Sequence, residues 1–272
     1  MTERSVIDST PTPATIATLT ADLRTLGIGE GDVLIVHTAL SKVGWVIGGP
    51  QAVVQALLDV VGPIGTVTMP GHSGGWSEPS HWENPPVPES WWPTVRAEWP
   101  AFDARLTPLR EMGAVAETFH RHPDTLRSAH PRVSHLANGP HAAAITANHP
   151  AGSGLGDESP LARLHDLDAT IVLIGVGHGN NTSLHLAEHR ADWPGKAPIT
   201  QGSAVTVDGE RRWVTYDELD LDTDDFDAAG ADFAQRTGLV RRGRIGQADT
   251  MVMPMRALVD HATTWFAAHR GR

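Results

Sequence analysis

His185 and Glu188 lie three residues apart in Asn180-Asn181-Thr182-Ser183-Leu184-His185-Leu186-Ala187-Glu188-His189-Arg190. On a helix that spacing puts both side chains on one face, and an imidazole with a carboxylate beside it is a tuned general base. The same letters contain H-x-x-E-H, an inverted zinc-peptidase pattern, in which His185, His189 and a downstream carboxylate would hold the metal. Two chemistries are therefore open, proton abstraction and metal-assisted hydrolysis.

Other groups could serve either one. His37-Thr38-Ala39-Leu40-Ser41-Lys42-Val43-Gly44 supplies hydroxyls, backbone amides and one lysine, which suit a phosphate or a pantetheine chain. Arg127-Ser128-Ala129-His130-Pro131 collects a cation, a hydroxyl and an imidazole before a stiff turn. Asp217, Glu218, Asp220, Asp222, Asp224, Asp225 and Asp227 crowd one stretch, as a solvated acidic turn or as a wall for a polyamine. The glycine and terminal glutamate of an EF-hand loop are missing there. Arg236, Arg241, Arg242 and Arg244 follow, as a solvated face or a receiver for a nucleotide phosphate.

These groups need a scaffold. Ile171 to Ile174 is an apolar run closed by Gly175-Val176-Gly177, which predicts a buried strand, a tight turn and then the helix bearing His185. The open end of such a strand is where α/β proteins place their chemistry. Ile16, Leu19, Leu23 and Leu26 predict a helix entered at Thr12-Pro13 and closed at Gly27. Asp32 to Val36 predicts a strand leading into His37, Gln51 to Val61 a helix, and Thr66 to Met69 a second strand parallel to the first. Helical patterns return near Glu111 to His120 and from Pro140 to Asn148, and Ser159-Pro160 reads as an N-cap and first helical position. Ala204 to Val207 and Trp213 to Tyr216, joined through Asp208-Gly209, predict a hairpin with a type I′ turn. A strand over Thr250 to Met253 and a helix through Leu258, Ala262 and Phe266 close the chain. From His72 to Pro100 the periodicity stops. That stretch holds Trp76, Trp82, Trp91, Trp92 and Trp99, many prolines and Glu78 and Glu83, and reads as a lid or binding loop. The fold class expected is α/β, a single domain over 1–272 with a mixed, mostly parallel sheet between helices and a 72–100 insert.

A chain of 272 residues with 40% hydrophobic content can bury one sizeable core. The absence of cysteine excludes disulfides, thiolate metal sites and a cysteine acyl-enzyme. No run of ~18 apolar residues occurs and the first residues are polar, so a cytoplasmic protein without a membrane partner is expected. A net charge of -11 disfavours nucleic acid and favours cationic ligands.

Taken in order, these segments resemble the aminoglycoside N3-acetyltransferase family, whose antibiotic-acetyltransferase fold differs from the GNAT fold. The resemblance is carried by His37 to Gly44 with Gly48-Gly49-Pro50, Gly62 to Thr66 with Met69-Pro70, Phe102-Asp103 with Thr107-Pro108, and Arg127 to Pro131. Gly139-Pro140, Ser159-Pro160, Asn181 to Glu188 and Gly243 to Gly246 continue it, so that it spans residue 14 to the end. It implies acetyl transfer from acetyl-CoA to an amine of an aminoglycoside, the 3-amino group. His185 would be the general base, with Glu188 as its partner. The Thr182 hydroxyl, or the backbone amides from Gly175 to Thr182, would face the oxyanion. His37, Thr38, Ala39, Leu40, Ser41, Lys42, Val43 and Gly44, with Ser128 and His130, would line the CoA groove. Asp225, Glu78, Glu83 and Asp103 would contact the polycationic acceptor. Direct transfer in a ternary complex, no metal, and a monomer or homodimer complete the expectation. Two rivals stand beside it. One is a zinc hydrolase built on His185, Glu188 and His189; the other is a silent binder of cationic sugars or an acetyltransferase for a non-antibiotic amine.

Overall fold

The structure is a computed structural model and describes residues 2–271. Nine strands are present among them: β1 (Val33–Thr38), β2 (Thr66–Pro70), β3 (Leu126–Arg127), β4 (His135–Asn138), β5 (Thr170–Ile174), β6 (Pro198–Val207), β7 (Glu210–Leu219), β8 (Arg241–Ile245) and β9 (Ala248–Pro254). Seven form one sheet in the order β3-β4-β2-β1-β5-β9-β8, and β6 pairs with β7 alone. β1 runs parallel to both β2 and β5, while the strands outside that trio join antiparallel. The fold is the expected mixed α/β sheet between helices, with its parallel part at the centre.

Period-two alternation assigns each central strand to two cores. Leu34 and Val36 of β1, with Val172 and Ile174 of β5, enter one core with the helices Ile16–Thr25, Gly49–Val61 and Gly113–His120. Ile35, Ile171 and Leu173 enter the other, with Pro160–Asp166, Ser183–Arg190, Phe226–Thr237 and Met255–His269. The Gly49–Val61 helix buries Val53, Val54, Leu57, Val60 and Val61, each contributing about 1.5–3 kcal/mol. Because His37 alternates with Val36, its side chain belongs to the face that carries the Ser183–Arg190 helix.

Local signals explain most boundaries. The first core helix starts at Ile16, not at Thr12-Pro13, because Thr15 and Thr18 close a reciprocal cap there. Ser159 caps the Pro160–Asp166 helix as expected. Asp208 (φ 52°) and Gly209 (φ 80°) give the hairpin the two positive dihedrals of a type I′ turn. The hairpin is ten residues on each side, longer than its apolar core predicts.

The 72–100 insert is ordered, with short turns at Pro79–His81 and Glu89–Trp91 and a helix at Trp92–Glu98. Trp99 receives the edges of Trp76 and Trp82, at 5.6 and 5.2 Å between ring centres. Ser203 on β6 donates to the Trp76 carbonyl (2.6 Å), and Arg211 on β7 donates to the Trp99 carbonyl (3.0 Å). No helix among the described residues is long and apolar enough to cross a membrane.

Candidate active site

β1 continues toward β2 on one side and pairs with β5 on the other, so the carboxyl ends of β1 and β5 flank a point where the strand order reverses. Open sheets of this kind form their binding crevice there. β1 delivers His37 and Thr38 to it, and β5 delivers Gly175, Val176 and Gly177. Gly175 has φ 69°, and a Cβ on it would lie 2.6 Å from Cβ of Lys42, so the turn admits only glycine. His178–Asn180 makes one 3₁₀ turn, fixed by a hydrogen bond from the His178 amide to Asp227 (2.9 Å), before the helix Ser183–Arg190 begins.

On that helix, Nδ1–H of His185 donates to the Glu188 carboxylate. The other Glu188 oxygen accepts from the Asp222 amide (3.0 Å) and from Arg270 (2.5 Å). Glu188 is fully buried, and Arg270 also clamps both oxygens of Asp225 at 2.5 and 2.8 Å. The imidazole stands edge-on to Phe226, with ring centres 4.9 Å apart, and no described residue hydrogen-bonds its Nε2. One ring nitrogen is thus oriented and the other is free to take a proton. The arrangement also commits the glutamate of the H-x-x-E-H pattern, which leaves it unavailable to activate a metal-bound water. The described residues contain no group of three His, Cys, Asp or Glu side chains that could hold a metal.

Further imidazoles surround the dyad. Burial, then the nearby His135 and His185, lowers His37 to about 3, and burial with the His135 charge pushes His72 well below its usual value. Burial lowers His135 to about 4. All three are neutral near pH 7. Nε2 of His37 and of His72, and both ring nitrogens of His135, have no described hydrogen-bond partner. Arg127 stitches the loop that carries His72, donating to the carbonyl of Gly71 (2.8 Å) and to Oγ of Ser73 (3.1 Å).

Three cavities meet around these groups. The smallest, about 110 Å³, is walled by His37, Thr38, Thr182, Asn180 and Val176, and Thr182 lies one turn before His185. Val176 is shared with a cleft of about 710 Å³ lined by Lys42, Arg242, Arg244, Gln247 and the Gly175–Gly177 turn. Glu111 and Met112 are shared with a third cavity, about 350 Å³, which His72, Trp82, Glu83, Arg110 and Arg132 line. The small cavity therefore joins a basic cleft on one side to a mixed-charge cavity under the insert on the other.

The residues expected at the site divide accordingly. His37, Thr38, Thr182 and Lys42 line the connected cavities, as does Glu83. Leu40, Ser41 and Gly44 lie on the opposite side of the Leu40–Val43 turn, in a separate apolar cleft of about 500 Å³, and Val43 is core. Ala39 shapes that turn by accepting from the Lys42 amide (2.9 Å). Ser128 and His130 are interior residues and line none of these cavities. Ser128 bonds His149 and the His135 amide, both at 2.8 Å, and His130 accepts from two backbone amides while its Nε2 meets Glu218 and the Ala151 carbonyl. Glu78 is nearly buried against Arg96, and Asp103 accepts from the Arg105 and Leu106 amides of its own turn. Asp225 is spent on Arg270. The acidic run is mostly solvent-exposed, as a solvated turn, and three of its members serve the scaffold: Glu218, the one buried, pairs with Arg132, Asp225 with Arg270, and Asp227 holds the His178 turn. Burial works to raise Glu218, but the hydrogen bond from His130 and the Arg132 guanidinium hold it below the usual carboxylate range. His72 and Glu111 went unread in the sequence, since neither sits in a recognisable spacing.

The family model described as aminoglycoside 3-N-acetyltransferase matches residues 35–267. The SPbeta prophage-derived aminoglycoside N(3')-acetyltransferase-like protein YokD of Bacillus subtilis is 38% identical over 264 residues, covering 97% of this chain and 96% of that protein. The crystal structure of YokD superposes with a TM-score of 0.95 over 99% of both chains, at 37% identity. A structure of AAC-VIa bound to sisomicin gives a TM-score of 0.86 at 32% identity, covering 96% of this chain and 100% of that one. A binary complex of AAC-IIIb with CoASH gives 0.84 at 32% identity, covering 94% and 97%.

Proposed function

We propose that this chain, which belongs to the aminoglycoside 3-N-acetyltransferase family, moves the acetyl group of acetyl-CoA directly onto the 3-amino group of an aminoglycoside. The observation that carries the reading is the chain of connected cavities, whose narrowest part is lined by Thr182, one helical turn before the His185–Glu188 pair. Lys42, Arg242 and Arg244 suit the phosphates of CoA in the basic cleft, and the arm of the thioester would pass Val176 to reach Thr182. The acceptor enters beneath the insert, beside Glu83. CoASH in AAC-IIIb and sisomicin in AAC-VIa support these two ligand classes.

The chemistry follows from the free nitrogen of His185. An ammonium acceptor first releases one proton to solvent. Nε2 then takes a second proton as the amine nitrogen bonds to the thioester carbonyl carbon, and the Glu188 carboxylate stabilises the imidazolium. The carbonyl oxygen gains charge near Thr182 and the amides of the Gly175–Thr182 turn. Cleavage of the C–S bond releases the CoA thiolate, which recovers the proton from His185. Without cysteine, no thiol acyl-enzyme intervenes.

Arg110 and Arg132 in the acceptor cavity favour one second reading, an amine outside the aminoglycosides that carries fewer positive charges. The test is thiol release from acetyl-CoA against aminoglycosides and simple amines, with and without chelator. Acceptor-dependent, chelator-insensitive release from aminoglycosides supports the first reading, and release with simple amines alone supports the second. No release with any amine sinks both.

A further inference from the structure

Between β5 and the helix of His185, the segment Gly177-His178-Gly179-Asn180 buries one side chain, that of His178, which is 5% exposed. Gly177, Gly179 and Asn180 are exposed, and a Cβ on Gly179 would touch nothing, so the turn is held from inside by the His178 ring. This segment borders the reaction space. Gly177 lines the basic cleft, Asn180 lines the small cavity, and Thr182 follows two residues on. The His178 carbonyl accepts from the Asn181 amide (2.8 Å), so a shift at His178 is passed on toward Thr182.

The helix Phe226–Thr237 receives the ring. Glycine is the poorest helix former after proline, yet Gly230 sits buried inside this helix. A Cβ on Gly230 would overlap the imidazole of His178, so the missing side chain makes the seat for the ring. One turn earlier Asp227, itself exposed, accepts from the His178 amide (2.9 Å). Phe226, beside it, stands edge-on to His185. The Asn181 side chain reaches Nδ1 of His178 at 3.4 Å. Burial lowers this histidine below its usual value, which leaves it neutral near pH 7, and its Nε2 has no described partner. The ring is therefore held by shape more than by charge. Ala229 and Phe233 fix the helix in the core, so one rigid element touches both the candidate base and the turn that precedes it.

We propose that His178 is a positioning residue for acetyl transfer: its ring, seated against Gly230, holds the Gly177–Thr182 turn where its amides and the Thr182 hydroxyl meet the charge growing on the thioester oxygen. The buried ring acts through that backbone and not on a substrate. The proposal rests on the acetyltransferase reading above and names what keeps the oxyanion side of that site in place.

Gly230→Ala drives the ring from its seat, and His178→Ala removes the ring. With sisomicin, or whichever amine releases thiol, as acceptor, each should lower kcat about ten- to hundredfold and leave both KM values within about twofold. The pH profile of kcat/KM should keep its wild-type inflection, since Glu188 and Phe226 still hold His185. The combined variant gives the decisive comparison. Once the ring is gone the added methyl meets no imidazole, so Gly230→Ala should cost no more than about twofold in kcat in the His178→Ala background. Asp227→Asn keeps an acceptor for the His178 amide and should stay within about threefold of wild-type kcat, whereas Asp227→Ala should lose about tenfold.

Three results overturn the proposal: wild-type kcat in both single variants, equal losses from Gly230→Ala in the two backgrounds, or losses that raise both KM values and move the pH inflection. Where Gly230→Ala does not fold, equal kcat in Asp227→Ala and Asp227→Asn overturns it. A wild-type protein that acetylates no amine sinks the acetyltransferase reading and the proposal with it, whereas the three results above, obtained with an active wild type, leave that reading standing.

Discussion

The guanidinium of Arg270 lies 2.5 Å from one oxygen of the buried Glu188 carboxylate, whose other oxygen receives Nδ1–H of His185. A residue of the last turns of the chain thereby fixes the partner of the candidate base. Arg270 also packs over Phe266, 4.1 Å from the ring centre, and binds both oxygens of Asp225.

Removing Arg270 should therefore be costly. Arg270→Met leaves Glu188 charged and buried without its cation, and breaking such a pair costs about 3–5 kcal/mol. Urea denaturation should show a loss of at least about 2 kcal/mol even if water enters beside Trp193. A loss within experimental error would mean that Glu188 is held by His185 and the Asp222 amide alone.

Much of this architecture is written locally, and the part that is not depends on long-range pairing. The β5 run, its glycine turn and the His185 helix were legible because each leaves a short-range mark: an apolar stretch, a Gly175 that only glycine can fill, and an i, i+3 pair. Asp208-Gly209 announced its turn in the same way. The acidic run announced only charge. Its role depends on Arg270 and Arg132, 45 and 86 residues away in sequence from Asp225 and Glu218, and no periodicity encodes such distances. β8 was hidden for the opposite reason: its Arg241, Arg242 and Arg244 lie on an edge strand open to solvent, so the apolar alternation that marks a strand is absent. Ser128 and His130 lie in a stretch that resembles the family, yet they are buried, a placement that a linear motif does not encode.

The basic cleft gives a second prediction. Lys42→Ala and Arg242→Ala should each raise the KM for acetyl-CoA about five- to tenfold and leave kcat within twofold, since the proposed reading has them bind phosphates away from the reacting atoms. With acetyl-pantetheine, which lacks the nucleotide, the same variants should match wild type. Unchanged KM values for acetyl-CoA would move the cofactor to the apolar cleft behind Ser41 and Gly44.

Acid should unfold the protein in a defined window. His37 and His135 titrate near 6.5 in the unfolded chain, but at about 3 and about 4 in the fold, because burial penalises their charged forms. Between these values the unfolded chain binds protons that the fold does not. Stability is therefore full above pH 6.5 and falls toward pH 4, by up to about 1.4 kcal/mol per pH unit for each histidine. His135 faces His72, His130 and His149 and has no described partner on either ring nitrogen, so His135→Leu should flatten this slope and raise the melting temperature at pH 5. Parallel wild-type and variant profiles would assign the acid sensitivity elsewhere.

The proposed reaction turns on His185. Its central measurement is the kcat of His185→Ala for acetyl transfer, taken together with the Kd for CoA. General-base catalysis by a positioned imidazole contributes about 10²- to 10⁴-fold, so kcat should fall by that factor while CoA binds as in wild type. Retention of substantial kcat would contradict the assignment of His185 as the base.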